Sequence, residues 1–306
     1  MTKKWLSFAE QVEQLQNRGL EVASVRECEK FLAQVNYARF EGYFAYWRTN
    51  PKRESRFVPG ADFETIRDLF EADRLLASTL ETQVRKLEAL FRAQYAHAYG
   101  QLFGGGTGFL QGEGLSLPPL VRGRKPTPAW DLMRGDLNRS KEHIIRSRYD
   151  EAADAYPDLP IWVAVEAFTF GTLSKAIAAS VESGVLAKLA ANLGLSQAYL
   201  PGQLKLLVHL RNRLAHCGRL WNHVTLDKAG MLPKTVNRYR NAYGDFADNS
   251  VFRIICLIDL ISKKAELEQA WLEQQIMPIL NANLLLKRGI MNPQRYGDFA
   301  FAGLEG

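Results

Sequence analysis

The stretch FETIRDLFEADRLLASTLETQVRKLEALFRAQYAHAY, Phe63 to Tyr99, decides the fold class. Ile66, Leu69, Phe70, Leu76, Leu80, Val84, Leu87, Leu90 and Phe91 recur mostly at threes and fours. That spacing gives a helix one apolar face and one charged face. Asp62 or Thr65 can cap its start, and Gly100 closes it. A helix this long needs other helices to bury its stripe, so the chain reads as all-α.

Outward from it the period stays helical. On the N-terminal side, Phe57-Val58-Pro59-Gly60 is a turn, and helices are expected over Ser7–Arg18 and Ser24–Phe40. The aromatic run Tyr37, Phe40, Tyr43, Phe44, Tyr46 and Trp47 is expected as a wedge in the core. On the C-terminal side, Gly104-Gly105-Gly106-Thr107-Gly108 lacks the Lys-Ser/Thr of a phosphate loop and follows no strand. It opens a flexible connector over 104–128. Helices are then expected over Pro128–Leu137, Ser140–Tyr156, Pro160–Gly184, Gln203–Cys217 and Asp248–Met277. The expected organisation is an N-terminal helical region over 1–60 and a helical core over 61–277. The core carries a flexible, basic insertion at about 104–158, and a tail follows over 278–306.

The composition is that of an ordinary globular protein, 47% hydrophobic and 24% charged over 306 residues, which excludes disordered and low-complexity classes. Cys28, Cys217 and Cys256 are far apart and form no C-x-x-C, so neither a disulfide framework nor a zinc site is expected. No secretory leader is read over Met1–Glu10, and Leu159–Val181 contains Glu166 and Lys175, so no membrane span is expected and the cytoplasm is the expected compartment. The net charge is +6, and Arg122–Arg148 holds eight bases against three acids. A solvated loop and helix face accounts for that density. The sharper reading is a surface for nucleic-acid phosphates, with Arg122, Arg124, Lys125 and Arg139 in contact.

The segment with chemistry is LKLLVHLRNRLAHCGRLWN, Leu204–Asn222. Leu204, Leu207, Val208, Leu214 and Ala215 give it an apolar stripe, and Gly218 is expected to stop the helix. Arg211 and His216 fall five residues apart near that stop. A phosphodiester reaction uses these residue types. Imidazole moves protons near neutral pH, and a guanidinium forks onto phosphate oxygens. Asn212 can orient either one. The spacing alone does not decide, because Arg92-Ala-Gln-Tyr-Ala-His97 repeats it with Glu88 one turn before Arg92.

The wider text carries a resemblance. Arg211-Asn212-x-x-Ala215-His216, then Gly218-Arg219-Leu-Trp221-Asn222, resembles the signature of the Abi-like family, abortive-infection proteins of the AbiD/AbiF type placed in the HEPN superfamily of helical ribonucleases. Val35-Asn-Tyr37-x-Arg39-Phe-x-Gly42-Tyr43 looks like the family's opening block. Phe57-x-Pro-Gly60-x-x-Phe63-x-x-Ile66-x-x-Leu69-Phe-x-x-Asp73-Arg74 looks like its second, and Leu87–Arg92 like its third. Ser140–Tyr149 followed by Pro160–Ser174 looks like its fourth. The resemblance runs from about Phe8 to Asn222.

It implies a HEPN-type bundle and metal-independent cleavage of RNA, in which the 2′-OH attacks the adjacent phosphate and leaves a 2′,3′-cyclic phosphate. It makes His216 the acid/base, Arg211 the phosphate clamp, Asn212 the motif's second polar position, and Glu166 an acidic residue orienting Arg211 or His216. Arg213, Arg219 and Asn222 flank the motif as RNA contacts. One motif supplies one histidine, so a homodimer is expected. The other partners implied are RNA and a restraining small noncoding RNA or antitoxin, with no cofactor. The alternative is a non-catalytic RNA-binding and dimerisation module regulated by a noncoding RNA.

Overall fold

A computed structural model describes residues 4–50, 54–119 and 126–296. The chain opens with α1 (Phe8–Asn17), α2 (Val25–Gln34) and α3 (Tyr37–Phe44), then a small antiparallel hairpin of β1 (Arg48–Asn50) and β2 (Glu54–Phe57). Helix α4 (Phe63–Phe103) follows, 41 residues and about 60 Å long. Asp62 caps it by accepting a hydrogen bond from the Thr65 amide at 2.7 Å. The helix passes Gly100 and stops at Gly104, whose φ of +71° favours glycine.

Ten shorter helices complete the described residues. They are α5 (Ala129–Arg139), α6 (His143–Arg146), α7 (Ile161–Ala164), α8 (Phe170–Ala179), α9 (Val185–Asn192), α10 (Leu200–Ala215), α11 (Pro233–Tyr243), α12 (Val251–Lys264), α13 (Met277–Ala282) and α14 (Leu284–Met291). Helix α4 is the spine, with α3, α7, α9, α10, α12, α13 and α14 packed against it. One core cluster joins all of these elements. The fold class is all-α, as read from the sequence, with the one hairpin added. No helix among the described residues is long and apolar enough to cross a membrane.

The structure corrects several boundaries, each for a local reason. The helix expected over Ser24–Phe40 breaks at Val35, which is extended, and restarts where Asn36 accepts the Ala38 amide at 2.9 Å. The helix expected over Pro160–Gly184 breaks at Phe168. There Thr169 caps α8 through the Thr172 amide while its own amide donates to buried Asp136 at 2.8 Å. Of Ser140–Tyr156, only α6 is α-helical. The long helix expected over Asp248–Met277 ends at Lys264, and a π-helical turn over Leu272–Ile276 leads into α13.

The described part of the connector is anchored. Phe109 and Leu110 are buried, Tyr99 donates to the Glu113 carbonyl at 2.7 Å, and the Ser116 amide donates to the Ala179 carbonyl at 2.8 Å. Residues 284–291, expected in a tail, form α14, whose Leu285 carbonyl accepts the Trp221 indole N–H at 2.8 Å. The aromatic wedge is in place. Phe40, Tyr43, Phe44, Tyr46 and Trp47 are buried, with ring contacts to Phe31, Phe63, Phe70 and Trp221.

Candidate functional site at the end of helix α10

Helix α10 buries Gln203, Leu204, Leu206, Leu207, Leu210 and Leu214 against the core. Of the stripe read from the sequence, Val208 is half-buried and Ala215 is exposed. The opposite face is open. Lys205, His209, Asn212 and His216 recur along it at four, three and four, and all are exposed. Arg211 lies about 130° round the helix from that face, on the side toward α4. The helix ends on a double cap. The Gly218 amide reaches the Arg213 carbonyl at 2.8 Å, and the Cys217 amide reaches Leu214 at 2.9 Å. The left-handed residue of the cap is Cys217, at φ +50°, where the sequence suggested Gly218. Glycine at 218 is still required, since a Cβ there would sit 2.7 Å from Arg213 Cγ. This turn places His216 at the helix terminus, with no hydrogen bond to its ring among the described residues.

Arg211 meets a carboxylate, but not the expected one. Its Nε lies 3.6 Å from Glu88 Oε2 on α4, and Glu88 also takes Arg92 at 2.5 Å. Glu88 therefore bridges the arginines of both Arg-x4-His motifs, with little of its side chain exposed. The expected Glu166 is exposed and lines a separate groove with His97, Gln101 and Trp162. In sequence Glu88 stands one turn before Arg92, and it forms that pair. Its reach to Arg211 depends on how α4 and α10 cross, which no local pattern contains.

The two helices run antiparallel here. Arg211 faces Glu88, while Leu214, Cys217 and Gly218 line a cleft with Glu81, Ala77 and Asp73, and the Leu220 amide donates to Asp73. His97 and His216 therefore diverge from the shared Glu88, about 20 Å apart along the helix axes.

Beyond the helix, the loop is tied to α4. Buried Asp73 accepts the Tyr43 hydroxyl at 2.6 Å and the amides of Leu220 and Trp221 at 3.0 Å each. Burial pushes its carboxyl up despite these donors. Trp221 is fully buried and acts as the packing anchor. The flanking residues are partly committed elsewhere. Asn222 is buried, with its Oδ1 accepting the Gln294 amide at 2.9 Å, so it is closed to RNA. Arg213 is half-buried and donates to the Arg219 carbonyl at 2.6 Å. Arg219 donates to the Gly42 carbonyl and to the hydroxyls of Tyr46 and Tyr296. Arg139 is exposed and pairs with Asp136 on α5. Arg122, Arg124 and Lys125 lie outside the described residues.

The field at this end is positive. Burial, and then Arg219, hold Arg213 below the usual guanidinium range. Burial, with Arg213, His209 and Arg219, lowers His223 to about 4. His223 stacks on His209, with Nε2 atoms 3.3 Å apart. Among the described residues no three His, Cys, Asp or Glu side chains come together as metal ligands. The arrangement presents an open imidazole and an amide on one helix face, with an oriented guanidinium on the side of the same helix end that turns toward α4.

Neither the curated proteins nor the solved structures contain a match to the chain. A family model described as "Abi-like protein" matches residues 30–222, more than half of the chain, from the end of α2 through the loop after α10. The chain belongs to the Abi-like protein family.

Proposed function

We propose that this protein is a metal-independent endoribonuclease acting in abortive infection, a defence against phage. One observation carries the reading: Arg211, Asn212 and His216 are exposed together at the open end of α10, with Arg211 oriented by Glu88. The family membership supports the abortive-infection role. In the proposed reaction the 2′-oxygen of the ribose attacks the adjacent phosphorus. The O2′–P bond forms as the P–O5′ bond breaks, giving a 2′,3′-cyclic phosphate and a 5′-OH. His216 moves a proton, taking it from the 2′-OH or giving it to the departing 5′-oxygen. Arg211 holds the non-bridging oxygens and offsets the charge that builds on them.

Both proton transfers need two groups, and His97 is too distant to be the second. A homodimer whose α10 faces meet across a two-fold axis supplies a second imidazole. A HEPN-type bundle and a restraining RNA or antitoxin belong to this same proposal. The presence of one Arg-x4-His motif at the open end of α10 also favours the second reading, a non-catalytic RNA-binding module.

The test is RNA cleavage in EDTA by wild type and His216→Ala, with the product ends identified. Cyclic-phosphate ends that vanish in the variant support the nuclease. Salt-sensitive binding by both proteins with no cleavage supports the module.

A further inference from the structure

A cleft of about 360 Å³ opens between α3, α4 and the Cys217–Arg219 turn that follows His216. Three stretches far apart in sequence meet in it: Arg39 and Tyr43, then Asp73 and Arg74, then Gly218 and Arg219. These are the same blocks whose text resembles the family, and cleavage chemistry at Arg211 and His216 uses none of them. The cleft has room for one small ligand.

Its charges are unevenly engaged. Arg39 and Arg74 are exposed and make no ion pair or hydrogen bond among the described residues, although Arg74 lies over the Phe70 ring. Arg219 lies over the rings of Tyr43, Tyr46, Trp221 and Tyr296. Two carboxylates also face the cleft. Asp73 spends its oxygens on Tyr43 and two amides, and Glu81 is held by Arg85 at 2.7 Å. The free charge is thus cationic, above a wall of Phe70, Ala77 and Leu214. Guanidiniums over an apolar, partly aromatic slot suit an unstacked nucleotide, with phosphate outside and base within.

We infer that this cleft is a subsite for the RNA nucleotide flanking the scissile phosphate, with its phosphate on Arg39 and Arg74 and its base against Phe70, Ala77 and Leu214. This rests on the ribonuclease reading and deepens it, because the subsite begins one residue past His216. It also places sequence preference in the cleft, where the base meets Phe70, Ala77 and Leu214.

The experiment uses the full chain in EDTA. Single-stranded oligonucleotide binding is measured on His216→Ala, and cleavage on a protein with His216 intact. Each is measured with and without Arg39→Gln/Arg74→Gln. A separate Ser78→Trp variant fills the cleft without changing its charge. Both arginines are exposed and unpaired, so the double variant keeps its melting temperature. The expected result is KM raised about tenfold or more with a smaller change in kcat. The salt dependence of binding becomes shallower by about 0.7 in log-log slope for the phosphate released. An abasic substitution beside the cleavage point costs wild type affinity but costs Ser78→Trp nothing further. Cleavage with unchanged KM, salt slope and nucleotide preference in all variants overturns the subsite and leaves the nuclease standing. Neither cleavage nor binding by any protein overturns both.

Discussion

Two Arg-x4-His motifs lie in this chain, and they share a single glutamate. On α4, Arg92 is half-buried beside Glu88 and also donates to the Val165 carbonyl, while exposed His97 meets Gln101 at 3.0 Å one turn on. On α10, Arg211 has 44% of its side chain exposed, and His216 sits at a helix terminus with its ring unengaged. The spacing is identical and the surroundings differ. At the end of α10 both residues are exposed, whereas on α4 the arginine is half-buried and held by Glu88 and the Val165 carbonyl. In mid-helix the same pair is absorbed by neighbouring side chains and carbonyls.

The largest contrast is expected between the arginines. In the proposed reaction Arg211→Ala removes the charge assigned to the transition state, so kcat is expected to fall about 10²–10³-fold while the melting temperature holds. Arg92→Ala leaves Glu88 half-buried without its nearest partner and costs on the order of 3 kcal/mol of stability, read by denaturant unfolding. Equal kinetic losses in both would break the distinction.

Next is the loop that only the α10 motif possesses. Asp73→Ala strands the Tyr43 hydroxyl and two buried amides, so it destabilises by about 3 kcal/mol, with Asp73→Asn intermediate. An Asp73→Ala protein as stable as wild type would show that the loop is not held from α4.

The smallest effect is electrostatic. His223 is held at about 4 against a free value of 6.5. Its neutral form is favoured in the folded state, so stability is full above about pH 6.5 and is lost as pH falls towards 4. Unfolding measured across that window should lose part of its slope in His223→Gln. An NMR titration placing His223 near 6.5 would deny the positive field.

Much of this was legible in the sequence, and the failures have a pattern. The period of three and four over Phe63–Tyr99 predicts the spine, and the aromatics of Tyr37–Trp47 predict a buried wedge. Helix breaks were missed where a side chain captures a backbone amide, as Asn36 and Thr169 do, because such caps look like ordinary polar positions on an amphipathic helix. At the site, Arg211, Asn212 and His216 were legible because one helix turn carries them. The Glu88–Arg92 pair is legible from its spacing, whereas the contact of Glu88 with Arg211 spans 123 residues and depends on the crossing of two helices. Asn222 looked available for RNA, but its side chain is buried against residue 294.

The proposed nuclease assigns action on RNA to the α10 motif and none to the α4 motif. The most direct measurement compares initial cleavage rates of His216→Ala and His97→Ala with wild type, in one EDTA-containing assay. The account predicts a loss of about 10²–10⁴-fold for His216→Ala and less than about twofold for His97→Ala. Cleavage that survives loss of His216 and disappears with His97 would contradict it.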